Sequence, residues 1–218
     1  MALEIHEELS DHTEIVALLS LVNDVLPLTG TVSNVINKKM KDIRTKRQEI
    51  LFSGLASGDK LLTEDIIKQE DFLHKFVITY SAAINTRREE KIRMLAKLLK
   101  NSEAKSFNVD IDIYEEYLKI LDELGYRELK ALYFLNNYEK EYSVENKKDY
   151  WPDFINDLKN KLNLEDDEVK PFLNRLNSIG CFTISTGLGV TWEDFGVRGE
   201  LSGIYKKIIN IVNRKNKI

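Results

Sequence analysis

The basic side chains between residues 38 and 47 are the densest group in the sequence that could bind a ligand. They lie on a predicted helix whose other face is apolar: Lys38, Lys39, Lys41, Arg44, Lys46 and Arg47. Such a face indicates an electrostatic platform for nucleic acid, an anionic membrane surface or an acidic protein. The alternative is a solvated helix face whose lysine stems lie along apolar surface, and the pattern favours this second interpretation.

Histidine and cysteine residues do not predict a metal site or a nucleophile. Neither a cysteine nor a second histidine lies four residues from His6, His12 or His74. Cys181 follows Gly180 in an apolar stretch, so we expect a small buried core residue. Glycine-rich phosphate-binding signatures are absent from the sequence. We therefore predict a non-enzymatic protein without catalytic residues, metal or cofactor.

Composition and charge limit the class of protein. The chain has 218 residues, 43% of them hydrophobic, with only three prolines and ten glycines, which favours a mostly α fold in two domains. Its acidic N-terminus lacks the pattern of a signal peptide, and a single cysteine suits a reducing compartment, so we expect a cytoplasmic protein. Residues 108–168 carry 8 basic and 17 acidic side chains, whereas residues 1–107 carry 16 of each. These charge blocks indicate a protein partner or a homo-oligomer.

The apolar segment 15–36 precedes the basic run and raises the question of membrane insertion. Polar residues and Pro27 interrupt it, and no run of about 18 apolar residues exists in the sequence. We interpret the segment as part of a buried helical hairpin. A membrane-active protein is the weaker alternative, and a membrane partner is not favoured.

Apolar spacing in residues 1–104 predicts a helical bundle. Helices are expected over 11–27 and 32–55, and a third is expected to begin at Thr63. Residues 70–101 predict two further helices with a hinge near Asn85. Thr86 and Glu89 have the spacing of a capping box, which would start the second of these helices. Several apolar residues are expected to face the core, among them Met40, Val77, Ile113 and Tyr133.

Residues 108–218 predict a second domain after a linker at 102–110. Its expected helices cover 113–121, 127–138, 151–162, 165–179 and 202–212. The period changes at Cys181–Ser185, which predicts a strand, and Val190–Trp192 is the expected returning strand of a hairpin.

This order of three short helices, a hairpin and a closing helix resembles the winged-helix variant of the helix-turn-helix over residues 126–213. The resemblance implies that the helix after Glu165 is the recognition helix and that the hairpin is the wing. Members of that superfamily insert this helix into the major groove. Here the residues that could read DNA are Lys170, Asn174 and Arg175. The N-terminal half is loosely similar in texture to uncharacterised bacterial phage-associated or mobile-element proteins.

Charge departs from the pattern that DNA binding requires. The predicted recognition helix begins with four carboxylates, Glu165–Glu168, which would repel a phosphate backbone, and the wing stretch Cys181–Gly189 has no lysine or arginine. We therefore expect a protein that acts through protein–protein contacts, with the winged-helix-like module as scaffold or interaction surface. A nucleic-acid-binding transcriptional regulator is the alternative.

Overall fold

The computed structural model describes residues 34–57, 62–145, 149–185 and 197–214. This part of the chain is mostly helical and contains one small antiparallel sheet. It divides into two compact units: unit one is Met1–Leu118 with Asn210–Ile218, and unit two is Lys119–Ile209. The helix predicted over 11–27 lies outside the described residues.

Helices and strands follow the sequence periodicity closely. The described elements are α1 (Asn34–Ala56), α2 (Glu64–Ile67), α3 (Glu70–Asn85), α4 (Glu89–Ser102), α5 (Ile111–Glu123), α6 (Tyr126–Glu145), α7 (Trp151–Leu162), α8 (Asp166–Ser178), β1 (Phe182–Ile184), β2 (Gly199–Leu201) and α9 (Gly203–Val212). The predicted break near Asn85 is confirmed, because α3 ends there and α4 begins four residues later.

Helices α1, α3 and α4 form the centre of unit one. The rings of Phe52 on α1 and Phe76 on α3 lie 6.0 Å apart, in an antiparallel helix pair. The α1 backbone lies close to α4 at Gly54, where an added Cβ would lie 2.6 Å from the Cβ of Ala96. Glycine is required at this position because no side chain fits between the two helices.

Side chains from neighbouring helices cap the C-terminal ends of α1 and α3. The Arg47 guanidinium on α1 donates to the carbonyl oxygen of Ile84 in the last turn of α3. The Lys100 ammonium on α4 donates to the carbonyl oxygen of Ser57, just beyond α1. Both contacts satisfy carbonyl groups at helix C-termini, where positive charge also opposes the helix dipole.

The predicted capping box between Thr86 and Glu89 is wrong. The Thr86 hydroxyl instead donates to the carbonyl oxygen of Ala82 at 2.9 Å, within the last turn of α3. The Glu89 carboxylate pairs with Lys46 of α1 at 2.7 Å. A hydrogen bond within α3 thus takes the Thr86 hydroxyl, and a tertiary ion pair takes the Glu89 carboxylate, away from the arrangement that their spacing predicts.

A buried polar network holds the connection between α4 and α5 against α3. The Lys75 ammonium donates to Glu103 Oε1 at 2.9 Å and to the carbonyl oxygen of Val109 at 2.7 Å. Nearby, the hydroxyl groups of Thr79 and Tyr114 lie 2.5 Å apart. These contacts attach the first half of α5 to unit one. The chain accordingly divides within α5 and α9 rather than at the 103–110 connection, and the predicted domains 1–104 and 108–218 stay a prediction.

In unit two, β1 and β2 form a short antiparallel ladder that pairs Phe182 with Leu201 and Ile184 with Gly199. The described partner of β1 is thus Gly199–Leu201. The partner predicted from sequence, Val190–Trp192, lies outside the described residues. Gly180, with φ +89°, makes the left-handed turn that leads from α8 into β1, as its position predicts.

Four apolar residues expected in the core are exposed instead: Met40, Val77, Ile113 and Tyr133. Each lies on a helix whose buried stripe is narrower than its apolar stripe. On α3, for example, the stripe runs through Phe72, Phe76 and Ala83, and Val77 lies beside it. No helix in the described part of the chain is both long enough and apolar enough to cross a membrane, and segment 15–36 lies largely outside that part.

Candidate functional site

Helix α8 carries the three residues that the winged-helix resemblance nominates as DNA readers. The side chains of Lys170, Asn174 and Arg175 are all exposed. Arg175 Nε, however, donates to Glu128 Oε1 of α6. Glu128 is buried and also accepts a hydrogen bond from the backbone N–H of Gly125, so its carboxylate both caps α6 and holds the guanidinium. An arginine committed to a buried carboxylate is less available for a base edge or a phosphate.

The carboxylates at the start of α8 serve the helix itself. Glu168 Oε2 accepts a hydrogen bond from the backbone N–H of Glu165 at 2.8 Å, which satisfies a free donor at the helix start. Asp166 pairs with Lys159 of α7, and Asp167 is exposed. Negative charge at a helix N-terminus stabilises the helix, and the same charge opposes a phosphate backbone.

The structure separates the members of the predicted basic platform on α1. Lys39 and Lys41 are exposed, and Arg44 is half-buried. Arg47 is occupied by the α3 carbonyl contact described above, and Lys46 by Glu89. The side chain of Lys38 lies outside the described residues. Among the described side chains of this run, Lys39 and Lys41 are therefore the exposed cations that make no ion pair with a described residue.

A group of aromatic residues that the sequence analysis did not single out lies on unit two. The rings of Tyr138 and Tyr142, on α6, are stacked with their centroids 6.0 Å apart. Tyr150, next to the start of α7, stacks on Tyr138 at 6.0 Å and contacts Tyr142 at 5.7 Å. We call these three residues the tyrosine cluster. Each ring is partly exposed, and Phe154 supports Tyr138 from the core side with a ring distance of 5.9 Å.

Carboxylates surround the tyrosine cluster and affect its ionisation. Burial, together with a hydrogen bond to Asp157 and the charge of Asp153, raises the pKa of Tyr138 to about 12. Burial and the charges of Glu139 and Glu200 raise the pKa of Tyr150 to about 12. The phenols therefore stay protonated and neutral at physiological pH, and the negative charge around them comes from the carboxylates.

Some of these carboxylates already have cationic partners. Lys161 pairs with Asp157 and lowers the pKa of that carboxyl, and Lys206 pairs with Glu139 at 2.9 Å. Asp153 is exposed on α7 and makes no ion pair with any residue that the structure describes. A cationic ligand at the cluster would therefore meet a carboxylate without an ion-pair partner among the described residues, beside partly exposed aromatic faces.

One sequence signal pointed to this cluster. Tyr138 and Tyr142 are four residues apart, so they lie on one face of a helix. Tyr150 joins them because α7 packs against α6, and no local pattern predicts that packing.

Other residue types that could perform chemistry are engaged or buried. His74 Nε2 lies 2.7 Å from Glu115 Oε1, and both side chains are half-exposed. Cys181 is fully buried, and burial raises the pKa of its thiol to about 12, in agreement with the predicted core position. His6 and His12 lie outside the described residues, and within those residues no three side chains group as metal ligands.

Comparison with known proteins adds no relative: no family model, curated protein or solved structure matches the chain.

Proposed function

We propose that this protein acts by binding another protein, and that the tyrosine cluster of unit two is its contact surface. The observation that carries this proposal is the meeting of three partly exposed tyrosine rings, 5.7–6.0 Å apart, within a frame of carboxylates. Tyrosine is enriched in protein interfaces because it combines a large apolar ring with a polar tip and loses little conformational entropy. Rings that already contact one another are also pre-ordered for binding.

Charge indicates that the partner is cationic. Tyrosine faces attract lysine and arginine, and such contacts are worth roughly 0.5–2 kcal/mol each. Asp153 on α7 adds an exposed carboxylate that makes no ion pair with a described residue. A basic segment of a protein satisfies both features, whereas the carboxylate would repel the phosphates of a nucleic acid.

The layout of unit two supports its use as a scaffold for this surface. The order α6, α7, α8, β1, β2 and α9 is consistent with a winged-helix-like module. In this interpretation α6 and α7 present the tyrosine cluster, and the Glu128–Arg175 contact attaches α8 to α6.

A second copy of this chain carries a suitable cationic partner for the tyrosine cluster. Lys39 and Lys41 are exposed on α1 and belong to the basic run 38–47, so α1 of a second copy is complementary to the acidic tyrosine surface. We therefore propose self-association in which α1 of one copy contacts unit two of another. Because the two contacting surfaces differ, the contact is heterologous, and it could extend beyond a dimer.

Sedimentation of the full chain tests this proposal. We expect association that strengthens with protein concentration and weakens between 20 and 500 mM salt. Tyr142→Ala should weaken it by about tenfold or more, the effect of a hot-spot residue, whereas Tyr142→Phe should retain most of it. Tyr133→Ala is the matched control, because Tyr133 is an exposed tyrosine on the same helix outside the cluster.

A charge-reversal pair identifies the two surfaces. Asp153→Lys alters unit two, and Lys39→Glu with Lys41→Glu alters α1. Each variant alone should stay monomeric, but an equal mixture should form a heterodimer, because one intact copy of each surface remains. A wild-type chain that is monomeric at all concentrations and salts, or a mixture that does not associate, contradicts the proposal.

DNA binding is the second candidate, favoured by the same element order and by the exposed Lys170 and Asn174 on α8. Anisotropy of a labelled mixed-sequence duplex, measured at low and at physiological salt, tests it. Binding that falls steeply with salt and is weakened by Lys170→Glu would support DNA recognition through α8. Absence of binding at low salt would remove this candidate.

A further inference from the structure

A cationic cavity lies within unit one, and none of its described lining residues belongs to the surfaces discussed so far. Its volume is about 450 Å³, within the range of small-molecule sites. The described residues that line it come from the ends of three helices: Gly54, Ser57, Lys97, Lys100, Asn101, Val212, Asn213 and Arg214.

The lining combines three cations with neutral polar groups. Lys97, Lys100 and Arg214 are the charged members, and no carboxylate belongs to the described lining. Hydrogen-bonding groups of Ser57, Asn101 and Asn213 complete it. Like charges gathered around one concave space repel one another and raise the local concentration of anions.

Part of this positive charge and hydrogen-bonding capacity is used by carbonyl groups at helix C-termini. The buried Lys100 donates to the carbonyl oxygen of Ser57, and the Asn101 side-chain amide donates to the carbonyl oxygen of Ile211 at 2.8 Å. These two contacts close the C-terminal ends of α1 and α9. Lys97 is exposed at the same cavity, one turn before Lys100 and Asn101, and makes no contact of this kind with a described residue. The cavity thus holds more positive charge than closing the helices requires.

We propose that this cavity binds a small phosphate-bearing molecule. A phosphate group presents several acceptor oxygens around one centre, so it can bridge cations from separate helices at once, which a single carboxylate does less completely. Lys97 and Arg214 approach it from α4 and from the end of α9, and Lys100 supplies a buried charge at the cavity wall. Asn213, next to Arg214, adds a neutral donor. The cavity volume suits a phosphorylated small molecule up to about the size of a nucleotide.

Calorimetric titration of the full chain tests this proposal with inorganic phosphate, pyrophosphate and AMP as probes. Sodium chloride at equal ionic strength corrects for screening. We expect saturable one-to-one binding of at least one probe. Lys97→Glu and Arg214→Glu should each weaken that binding at least about tenfold. Lys105→Glu is the matched control, because Lys105 is exposed in unit one, does not line the cavity and changes the net charge by the same amount.

Three results would overturn the proposal. The first is no binding of any probe beyond the chloride reference. The second is equal weakening by Lys105→Glu and Lys97→Glu, which would indicate a response to net charge alone. The third is binding of a single-stranded oligonucleotide while all three small probes fail, which would assign the cavity to a polynucleotide. Circular dichroism of each variant confirms that it remains folded.

Discussion

The Lys75–Glu103 pair allows a sharp test of what holds unit one together. Its two side chains are only 6% and 11% exposed, and the ammonium also bonds to the carbonyl oxygen of Val109. The same ammonium lies 5.6 Å from the centre of the Tyr114 ring. The change Lys75→Met keeps the apolar stem and removes the charge, which leaves Glu103 with only a long contact of 3.3 Å to the Ser102 hydroxyl.

The expected cost follows from this burial. Breaking a buried ion pair by removing one partner costs about 3–5 kcal/mol, whereas exposed pairs contribute about 0–1 kcal/mol. We expect Lys75→Met to lower the free energy of unfolding by about 3–4 kcal/mol. Replacing both members, Lys75→Met with Glu103→Met, should cost only about 1–2 kcal/mol, because the remaining loss is mainly the hydrogen bond to Val109.

Urea unfolding followed by circular dichroism measures these differences. Lys68→Met is the matched control, since Lys68 pairs with Glu64 while both side chains are about 70% exposed. Its expected cost is below 1 kcal/mol. If Lys75→Met costs no more than this control, or if the double variant is less stable than Lys75→Met alone, the pair is not the buried anchor that its burial implies.

Three further predictions concern packing and ionisation. Gly54→Ala should destabilise the protein by about 1–2 kcal/mol, because the steric clash with Ala96 outweighs a helix-propensity gain of roughly 1 kcal/mol. Gly203→Ala, with open space around it, should be neutral in the same urea titration. Cys181 should not react with a thiol reagent at pH 8 in the native protein and should react fully in guanidinium, because its buried thiol has a raised pKa of about 12; fast reaction of the native chain would contradict its burial. Tyr138 and Tyr150 have pKa values raised from 10.0 to about 12, so they stabilise the fold below pH 10 and lose that contribution as pH rises from 10 to 12. Absorbance at 295 nm should show phenols that ionise near pH 12, and Tyr138→Phe with Tyr150→Phe should lower their number by two, while Tyr114 and Tyr205, whose pKa values burial also raises, remain.

Local periodicity accounts for most of the described helices. Side chains three and four residues apart share a helix face, so apolar spacing alone predicts α3, α4, α7 and α8 and the break near Asn85. Pro152 in the first turn of α7 and Gly180 after α8 mark boundaries because each restricts or frees the backbone locally. These signals need no knowledge of tertiary contacts.

Pairing and capping were harder to predict because they depend on distant residues. The β1 ladder joins residues 182–184 to residues 199–201, and a strand of three residues has too short a pattern to identify its partner. Thr86 and Glu89 have capping-box spacing, but Lys46 reaches Glu89 from another helix. Tyr133 matches an apolar helix position, yet it is 61% exposed. The strand pairing and the Glu89 contact depend on residues beyond the local window, and the exposure of Tyr133 depends on which part of α6 other elements cover.

Sequence also predicts charge better than it predicts what the charge contacts. The basic run on α1 is predicted from residue type and spacing, and Lys170, Asn174 and Arg175 on α8 are nominated by the winged-helix resemblance. The structure shows that Arg47 and Arg175 are held by partners 37 and 47 residues away, so they contribute to helix termination and packing as well as to surface charge. Lys39 and Lys41 make no such contact with a described residue, and Asp153 on unit two also has no ion-pair partner there. Exposed charges without an ion pair to a described residue can pair with a second copy without breaking a contact within the chain. The charge part of the proposed self-association is therefore assigned to these three residues rather than to the larger basic run.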